Sequence, residues 1–380
     1  MEAFSFHNPT KILFGKGQIA QLGKEIHTDG IKKCVLIAGG GSIRQNGAYD
    51  AVIQSLQKAG IEHIEAWGVV ANPRLDKVRE IIQQTRDFKA DAILAVGGGS
   101  VIDTAKSVAA GVYLEDIWNA FTRREQIKRA LPLYTVLTLS ATGSEMNGNA
   151  VITNTESKQK WGMFSPYVYP RVSVIDPSLQ ATLPFRQTAN GAMDAIAHIL
   201  EFYFADDKAL STLGINESLI RTLIEMTDRL KQDPEDYVAR SNLAWSATLA
   251  LNGISGIGLL GGDWACHSIE HALSALHPEI AHGEGLAVIF PAWIEYFGEK
   301  YPSRFVRWSQ QVWREESPAT AVRRFRDKLR DWEMPASLRD LGIQHGELEE
   351  ILNLIMTTPK IGGVFELSKE ELRSLLMLAF

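Results

Sequence analysis

The sequence predicts an α/β dinucleotide-binding domain built on a parallel sheet, followed by an all-α domain. Through the first 180 residues, short β-rich runs alternate with amphipathic helical runs. Two of the β-rich runs end in Gly-Gly-Gly-Ser, and beyond about residue 187 only helical periodicity remains. Strand, glycine turn and helix in repetition are the pattern of a parallel sheet covered on both faces.

Taken in order, "KCVLIA" (Lys33–Ala38) reads as a strand that runs into Gly39-Gly40-Gly41-Ser42, with a helical run from about Gln45 to Ala59 behind it. "IEHIEAWGVV" follows, and Pro73 opens a second helical run. "ADAILAV" (Ala90–Val96) is the next strand, ending in Gly97-Gly98-Gly99-Ser100 ahead of the helical "VIDTAKSVAAG". "LYTVLTL" and "RVSVID" supply further strands. The pattern changes across Pro177–Pro184, which divides the chain into residues 1–180 and 181–380. In the second part "ANGAMDAIAHILEFYF" and "ATAVRRFRDKLRDW" have helical spacing throughout.

Composition narrows the class. Hydrophobic content of 45% with 22% charged residues describes an ordinary soluble globular protein. A net charge of -6 and no basic cluster argue against a nucleic-acid partner. Two cysteines, Cys34 and Cys266, make no disulfide framework and suit a reducing cytoplasm. The opening "MEAFSFHNPTKILFG" lacks a basic segment followed by an apolar one, so no secretory signal is expected. Ser241–Gly262 carries no charge, but a spanning helix needs about 20 predominantly apolar residues. Ser241, Asn242, Ser246, Thr248, Asn252, Ser255 and five glycines make the stretch read instead as a buried core helix with close backbone packing. No membrane association is expected.

Each Gly-Gly-Gly-Ser stands where a strand meets a helix. Backbone N–H groups and the positive helix end can face an anion there, and glycine lets a phosphate approach. Neither turn is the G-x-G-x-x-G fingerprint, which fails at Arg44 from Gly39 and at Ile102 from Gly97. Ser100 with Asp103 also fits a plain helix-start pattern.

"GGDWACHSIEHALSALHPEIAHG" (Gly261–Gly283) holds four of the nine histidines. Buried imidazoles cost free energy unless something binds them. His267 and His271 fall on one helical face, Pro278 should end that helix, and His282 should return from the loop beyond. Asp194 and His198 form a second i, i+4 pair on another helix. Facing each other, the two helices offer a mixed N/O site suited to Fe²⁺ or Zn²⁺ rather than Mg²⁺ or Ca²⁺. Spacing leaves open which of His271, His277 and His282 is the third imidazole ligand. Cys266 should point off that face and pack.

"DPSLQATLPFRQTANGAMDAIAH" and the histidine segment together resemble the two signature segments of the iron-containing (group III metal-dependent) alcohol dehydrogenases. "AVGGGSVIDTAKSVAAG" and "TLSATGSEMNGNAVIT" resemble the family's butanol dehydrogenase and NADPH-dependent aldehyde reductase branch, and the similarity spans essentially the whole chain. The resemblance implies a dehydroquinate-synthase-like architecture with the active site between the two domains. It implies Asp194, His198, His267 and His282 as metal ligands and His271 as the proton-transfer group. It also implies that Gly98, Gly99, Ser100 and Asp103 contact the pyrophosphate and nicotinamide ribose. Thr138, Thr142 and Asn147 would line the dinucleotide groove, Lys160 would reach the nicotinamide ribose, and Asn72 the adenosine side.

NAD-preferring relatives tend to carry a carboxylate after the first strand. Here Gly39, Gly40, Gly41 and Ser42 stand there with Arg44 beyond, a set that would accept a 2′-phosphate, so NADP(H) is favoured over NAD(H). The expected chemistry is hydride transfer between NADPH and a short or medium-chain aliphatic aldehyde, with "WGMFSPYVY" and Trp264 as apolar walls. The expected assembly is a cytoplasmic homodimer or larger homo-oligomer. Rival readings are a glycerol-dehydrogenase-like polyol oxidase using Zn²⁺ and NAD, and a dehydroquinate-synthase-like lyase. The lyase would need Lys and Arg around the metal, and the segments near Asp194 and His267 nearly lack them.

Overall fold

The computed structural model describes residues 1–358 and 360–380. Strands β1 (Lys11–Phe14), β2 (Lys33–Ala38), β3 (Glu62–Ala66), β4 (Ala92–Gly97), β5 (Leu133–Leu137) and β8 (Val172–Ile175) form one sheet. Its order is β1-β8-β5-β4-β2-β3, and every pairing is parallel. Between β5 and β8 the chain adds an antiparallel hairpin, β6 (Asn149–Asn154) with β7 (Gln159–Phe164). The hairpin and the edge strand β1 are absent from the sequence reading. β1 is only four residues long and half-exposed, so it lacks the apolar run that marks β2 and β4.

The parallel strands read as continuous apolar runs because both faces are covered. In β2, Val35 and Ile37 face one core with Ile93 and Ala95 of β4, while Cys34, Leu36 and Ala38 face the other with Ala92, Leu94 and Val96. Helices α1 (Leu22–Thr28) and α3 (Ala48–Lys58) cover the second face through Leu22, Ile26, Val52 and Leu56. Helices α4 (Leu75–Phe88) and α5 (Gly99–Gly111) cover the first through Val78, Ile81, Ile102 and Ala105. The helix expected over about 45–59 is present as α3 over 48–58. A single turn, α2 (Ser42–Gln45), precedes α3, because Gly47 takes a left-handed conformation (φ 81°) that breaks the run. The short α6 (Trp118–Phe121) stacks on the hairpin through Trp118 and Trp161, 5.8 Å apart.

From Phe185 onward the chain is helical, with α7 (Phe185–Tyr203), α8 (Leu210–Gln232), α9 (Tyr237–Ala250), α10 (Ala265–Leu276) and α11 (His282–Lys300). α12 (Pro302–Trp308), α13 (Pro318–Asp331), α14 (Leu348–Ile355) and α15 (Lys369–Leu378) complete it. The charge-free stretch 241–262 is not one helix. α9 ends at Ala250, and Gly253 (φ 104°), Gly258 (φ 69°) and Gly261 (φ 98°) hold the rest in irregular backbone that leaves Leu260 exposed. Among the described residues no helix is long and apolar enough to cross a membrane.

Two compact units result. One comprises His7–Leu183 with Asp233–Thr248, and the other Met1–Phe6, Pro184–Gln232 and Leu249–Phe380. A single division at residues 180 and 181 differs from this by two excursions. The larger has a clear cause: Ala244 of α9 is fully buried in the sheet's first core, and Thr248 Oγ1 donates to Glu145 Oε1 at 2.6 Å.

Candidate active site

In the helical unit, α7, α10 and α11 pack on one another, and glycine decides how closely. A Cβ on Gly283 would stand 2.3 Å from the carbonyl oxygen of Asn190, and one on Gly285 would stand 2.7 Å from Glu270 Cγ. The first turn of α11, "HGEG", therefore lies directly on α7 and α10. His282 opens this helix instead of returning from a loop, since the connection after α10 is only 277–281.

That packing brings together side chains from three helices. One ligand atom each from Asp194, His267 and His282 lies within 4.8 Å of the others. Asp194 Oδ1 is 3.5 Å from His282 Nε2 and 3.6 Å from His198 Nδ1. His198 falls outside the mutual 4.8 Å set but adjoins it, its ring centroid 4.7 Å from that of His267 at a 30° tilt. Burial first, and the nearby His267, His282 and His271 second, hold His198 well below the ordinary imidazole value, so it is neutral near pH 7. Neutral imidazole is the form that binds a cation. His271 on α10 is half-buried, its ring 5.5 Å from that of His282.

His277 belongs elsewhere, with its Nε2 2.9 Å from Glu347 Oε1. Cys266 is buried beside His267, and burial pushes its thiol well above the usual range. Trp264 packs edge-on to His267 at 5.3 Å and to Phe202 at 5.3 Å.

A divalent Fe or Zn ion fits this donor set. Two donors at about 2.1 Å from one tetrahedral ion stand about 3.4 Å apart, close to the two Asp194 separations above. His267 Nε2 is buried with no hydrogen-bond partner, as an imidazole nitrogen awaiting a cation would be. Three nitrogen donors with one carboxylate suit such borderline ions. The sequence reading missed Glu201 and Glu270, which contact His267 Nδ1 and His282 Nδ1. Local spacing did not mark them: Glu201 stands three residues after His198 and Glu270 three after His267, but each contacts a histidine of another helix.

In the sheet unit, β2 and β4 are neighbours in register, Ala38 opposite Val96. The two glycine turns therefore stand side by side at the carboxyl ends of the strands, where open α/β sheets bind ligands. Gly40 and Ser42 are exposed, and Gly41 adopts φ 113°. Gly98 precedes α5 with no side-chain cap, and Ser100 lies in its first turn. A Cβ on Gly99 would stand 2.5 Å from the Thr142 side chain, and the Thr138 N–H donates to the Gly97 carbonyl at 3.0 Å.

Asp103 is not a simple helix-start residue. Its Oδ1 accepts from Ser144 Oγ at 2.6 Å and its Oδ2 from the Val151 N–H at 2.9 Å. Asn147 Oδ1 accepts from Lys106 Nζ at 2.9 Å, and Lys160 Nζ donates to Asn72 Oδ1 at 2.9 Å. The last pair joins residues 88 positions apart.

Known proteins resemble the chain over nearly its whole length. The model of the iron-containing alcohol dehydrogenase family matches residues 9–177, and that of the Fe-containing alcohol dehydrogenase family C-terminal domain matches residues 188–379. The chain belongs to the iron-containing alcohol dehydrogenase family. The enzyme is thus a metal- and nicotinamide-dependent alcohol dehydrogenase-type oxidoreductase. A relative described as probable NADH-dependent butanol dehydrogenase 1 of Bacillus subtilis is 40% identical over 386 residues, covering 99% of each chain. The NADPH-dependent aldehyde reductase YqhD of Escherichia coli is 36% identical over 369 residues, covering 93% of this chain and 92% of that protein. The crystal structure of NADH-dependent butanol dehydrogenase A from Thermotoga maritima superposes with a TM-score of 0.97 at 48% identity, over 100% of this chain and 99% of that one.

Proposed function

We propose that the enzyme interconverts short or medium-chain aliphatic aldehydes and alcohols, with Asp194, His198, His267 and His282 holding Fe²⁺ or Zn²⁺ and NADPH preferred over NADH. The observation that carries the reading is the convergence of Asp194, His267 and His282 within 4.8 Å, with His198 against Asp194. When bound, the cation supplies Lewis acidity toward a carbonyl oxygen and the nicotinamide supplies the hydride.

The chain's own groups do the rest. His271, half-buried next to His282, holds the proton that the product oxygen takes up. Gly40, Gly41, Ser42, Gly98, Gly99 and Ser100 offer backbone N–H groups to the dinucleotide phosphates. Asp103, Thr138, Thr142 and Asn147 line the groove and shape the loop over α5, and Lys160 reaches the nicotinamide ribose; Asn72, expected on the adenosine side, is bonded to Lys160 and is assigned with it instead. Names of relatives support the substrate class, which includes butanol dehydrogenases and an aldehyde reductase.

The NADPH preference is supported by the missing carboxylate after β2 and by Arg44, whose guanidinium stands 4.5 Å above the Trp67 ring. Relatives carry both preferences in their names. The reading includes a cytoplasmic homodimer or larger homo-oligomer. Buried thiols at Cys34 and Cys266 support the reducing compartment, and sedimentation equilibrium tests the assembly.

Two experiments test the function. His267→Ala is expected to lose stoichiometric metal and turnover of butanal, and metal content equal to the wild type refutes the ligand set. In Gly39→Asp the added Cβ would stand 3.3 Å from the Val69 carbonyl oxygen, a tight contact that a shift of a few tenths of an ångström relieves, so the variant is checked for folding before it is assayed. Its ratio of kcat/KM for NADPH over NADH should fall by about tenfold or more, roughly 1.4 kcal/mol. An unchanged ratio removes the basis for NADPH.

A further inference from the structure

Behind Asp194, His267 and His282 stand two carboxylates outside that group, Glu201 and Glu270, the second of which also lies within 4.8 Å of His271 and His282. Glu201, 2% exposed, lies on α7 one helical face along from Asp194 and His198. Its Oε1 is 2.7 Å from His267 Nδ1 and also accepts from the His267 N–H at 3.2 Å, while its Oε2 accepts from the Trp264 N–H. Glu270, fully buried on α10, contacts His282 Nδ1. We propose that Glu201 and Glu270 are positioning residues that keep the proton of His267 and of His282 on Nδ1, so that the bare Nε2 of each ring faces Asp194. This rests on the metal-site reading above.

The argument is one of donors and acceptors. A neutral imidazole carries one proton, and the nitrogen without it is the one that can bind a cation. Two backbone N–H groups donate to the oxygens of Glu201, and a carboxylate has only acceptors to offer a third neighbour, so Nδ1 of His267 must carry the hydrogen. Nε2 is then left with its lone pair, and it is the ring nitrogen that is buried without a hydrogen-bond partner. For His282 the same logic holds: Nδ1 meets Glu270, and Nε2 is the atom 3.5 Å from Asp194 Oδ1. Two histidines on different helices thus show one arrangement, carboxylate behind and lone pair forward. The absence of a side chain on Gly285 makes room for Glu270 between α10 and α11.

A purely structural role for Glu201 would be to cap α10, since its backbone donors are Trp264, the residue before the helix, and His267 in its first turn. Capping would use the backbone N–H groups and leave the ring free to take either tautomer. Glutamine at 201 separates the two roles. Its amide has one oxygen and an NH₂: an NH₂ in the place of Oε1 faces both the His267 N–H and Nδ1, of which only the ring proton can move, to Nε2, whereas an NH₂ in the place of Oε2 faces the Trp264 N–H and disturbs the cap alone.

The test is Zn²⁺ affinity of the whole chain, read by competition with a chromophoric chelator, for the wild type, Glu201→Gln, Glu270→Gln and Glu217→Gln. Glu217 is an equally buried carboxylate that accepts from Tyr203 Oη at 2.8 Å and pairs with Arg307 at 2.6 Å, away from any imidazole. Glu201→Gln and Glu270→Gln should each weaken Zn²⁺ by tenfold or more, and Glu217→Gln should stay within threefold even where it melts earlier. Either of the first two staying within threefold of the wild type overturns the role of that residue. If Glu201→Gln does not fold, ¹⁵N spectra of histidine-labelled wild-type protein decide. A proton on Nδ1 of His267 supports the inference and one on Nε2 overturns it. Wild-type protein that takes up neither Zn²⁺ nor, under anaerobic conditions, Fe²⁺ brings down the metal-site reading itself, whereas wild-type uptake with unaffected variants brings down only the positioning role.

Discussion

Lys106 is fully buried, its ammonium directed at Ser144 Oγ (2.8 Å), Asn147 Oδ1 (2.9 Å) and the Asn149 carbonyl (2.7 Å). Burial pushes its pKa down to about 8 against the opposing pull of Asp103 and Glu145. An unfolded lysine titrates near 10.4. Between those values the unfolded chain binds more protons than the folded one, so this residue makes stability rise with pH through that window and fall as pH drops through about 8. Urea midpoints of the wild type and Lys106→Met, taken from pH 7.5 to 10.5, should show the wild type gaining on the variant as pH rises, and a constant gap refutes the assignment. At this scale the sequence showed which residue types could do chemistry, Asp194 with His198 above all. It did not show Lys106, Glu201 or Glu270, because a charged residue in a helical run looks the same whether it faces solvent or a buried partner.

One element, the start of α11, governs whether the site exists. Gly283 lets α11 rest on the backbone of α7 at Asn190, one turn before Asp194, and His282 is its neighbour in sequence. In Gly283→Ala the added Cβ would meet a carbonyl oxygen at 2.3 Å, an overlap that only a shift of the whole helix relieves. The expected cost is about 1–3 kcal/mol, with Zn²⁺ affinity reduced tenfold or more because His282 moves with the helix. Gly214→Ala in α8 meets nothing within 4 Å and should leave both quantities unchanged or slightly raise the melting temperature. Calorimetry with chelator competition checks both. Helix and strand placement was mostly legible because period and punctuation are local. The stretch 241–262 misled because an uncharged run carries no polar face to mark where the helix stops.

For the whole molecule, the decisive feature is that Asp233–Thr248 returns to the sheet unit from within the helical part of the chain. It supplies Ala244 to the core, Thr248 to Glu145, and Trp245 against Phe14 at 6.0 Å. A fragment of residues 7–183 should therefore bind ANS and unfold at lower urea than the same region in the whole chain. Adding the 233–248 peptide in trans should reverse part of that loss. A fragment that neither binds ANS nor responds to the peptide refutes the dependence.

The amino-acid pattern alone determined the parallel sheet with its two glycine turns, the helical second half and the pairs Asp194–His198 and His267–His271. Each of these follows from backbone geometry over a few neighbouring residues. Tertiary structure decided which of the downstream histidines joins the site, that His277 turns to Glu347 instead, and that Glu201 stands behind His267 across 66 positions of chain. Those outcomes depend on how whole helix surfaces fit, with glycines setting the approach, and no local period encodes which distant surface a helix will meet.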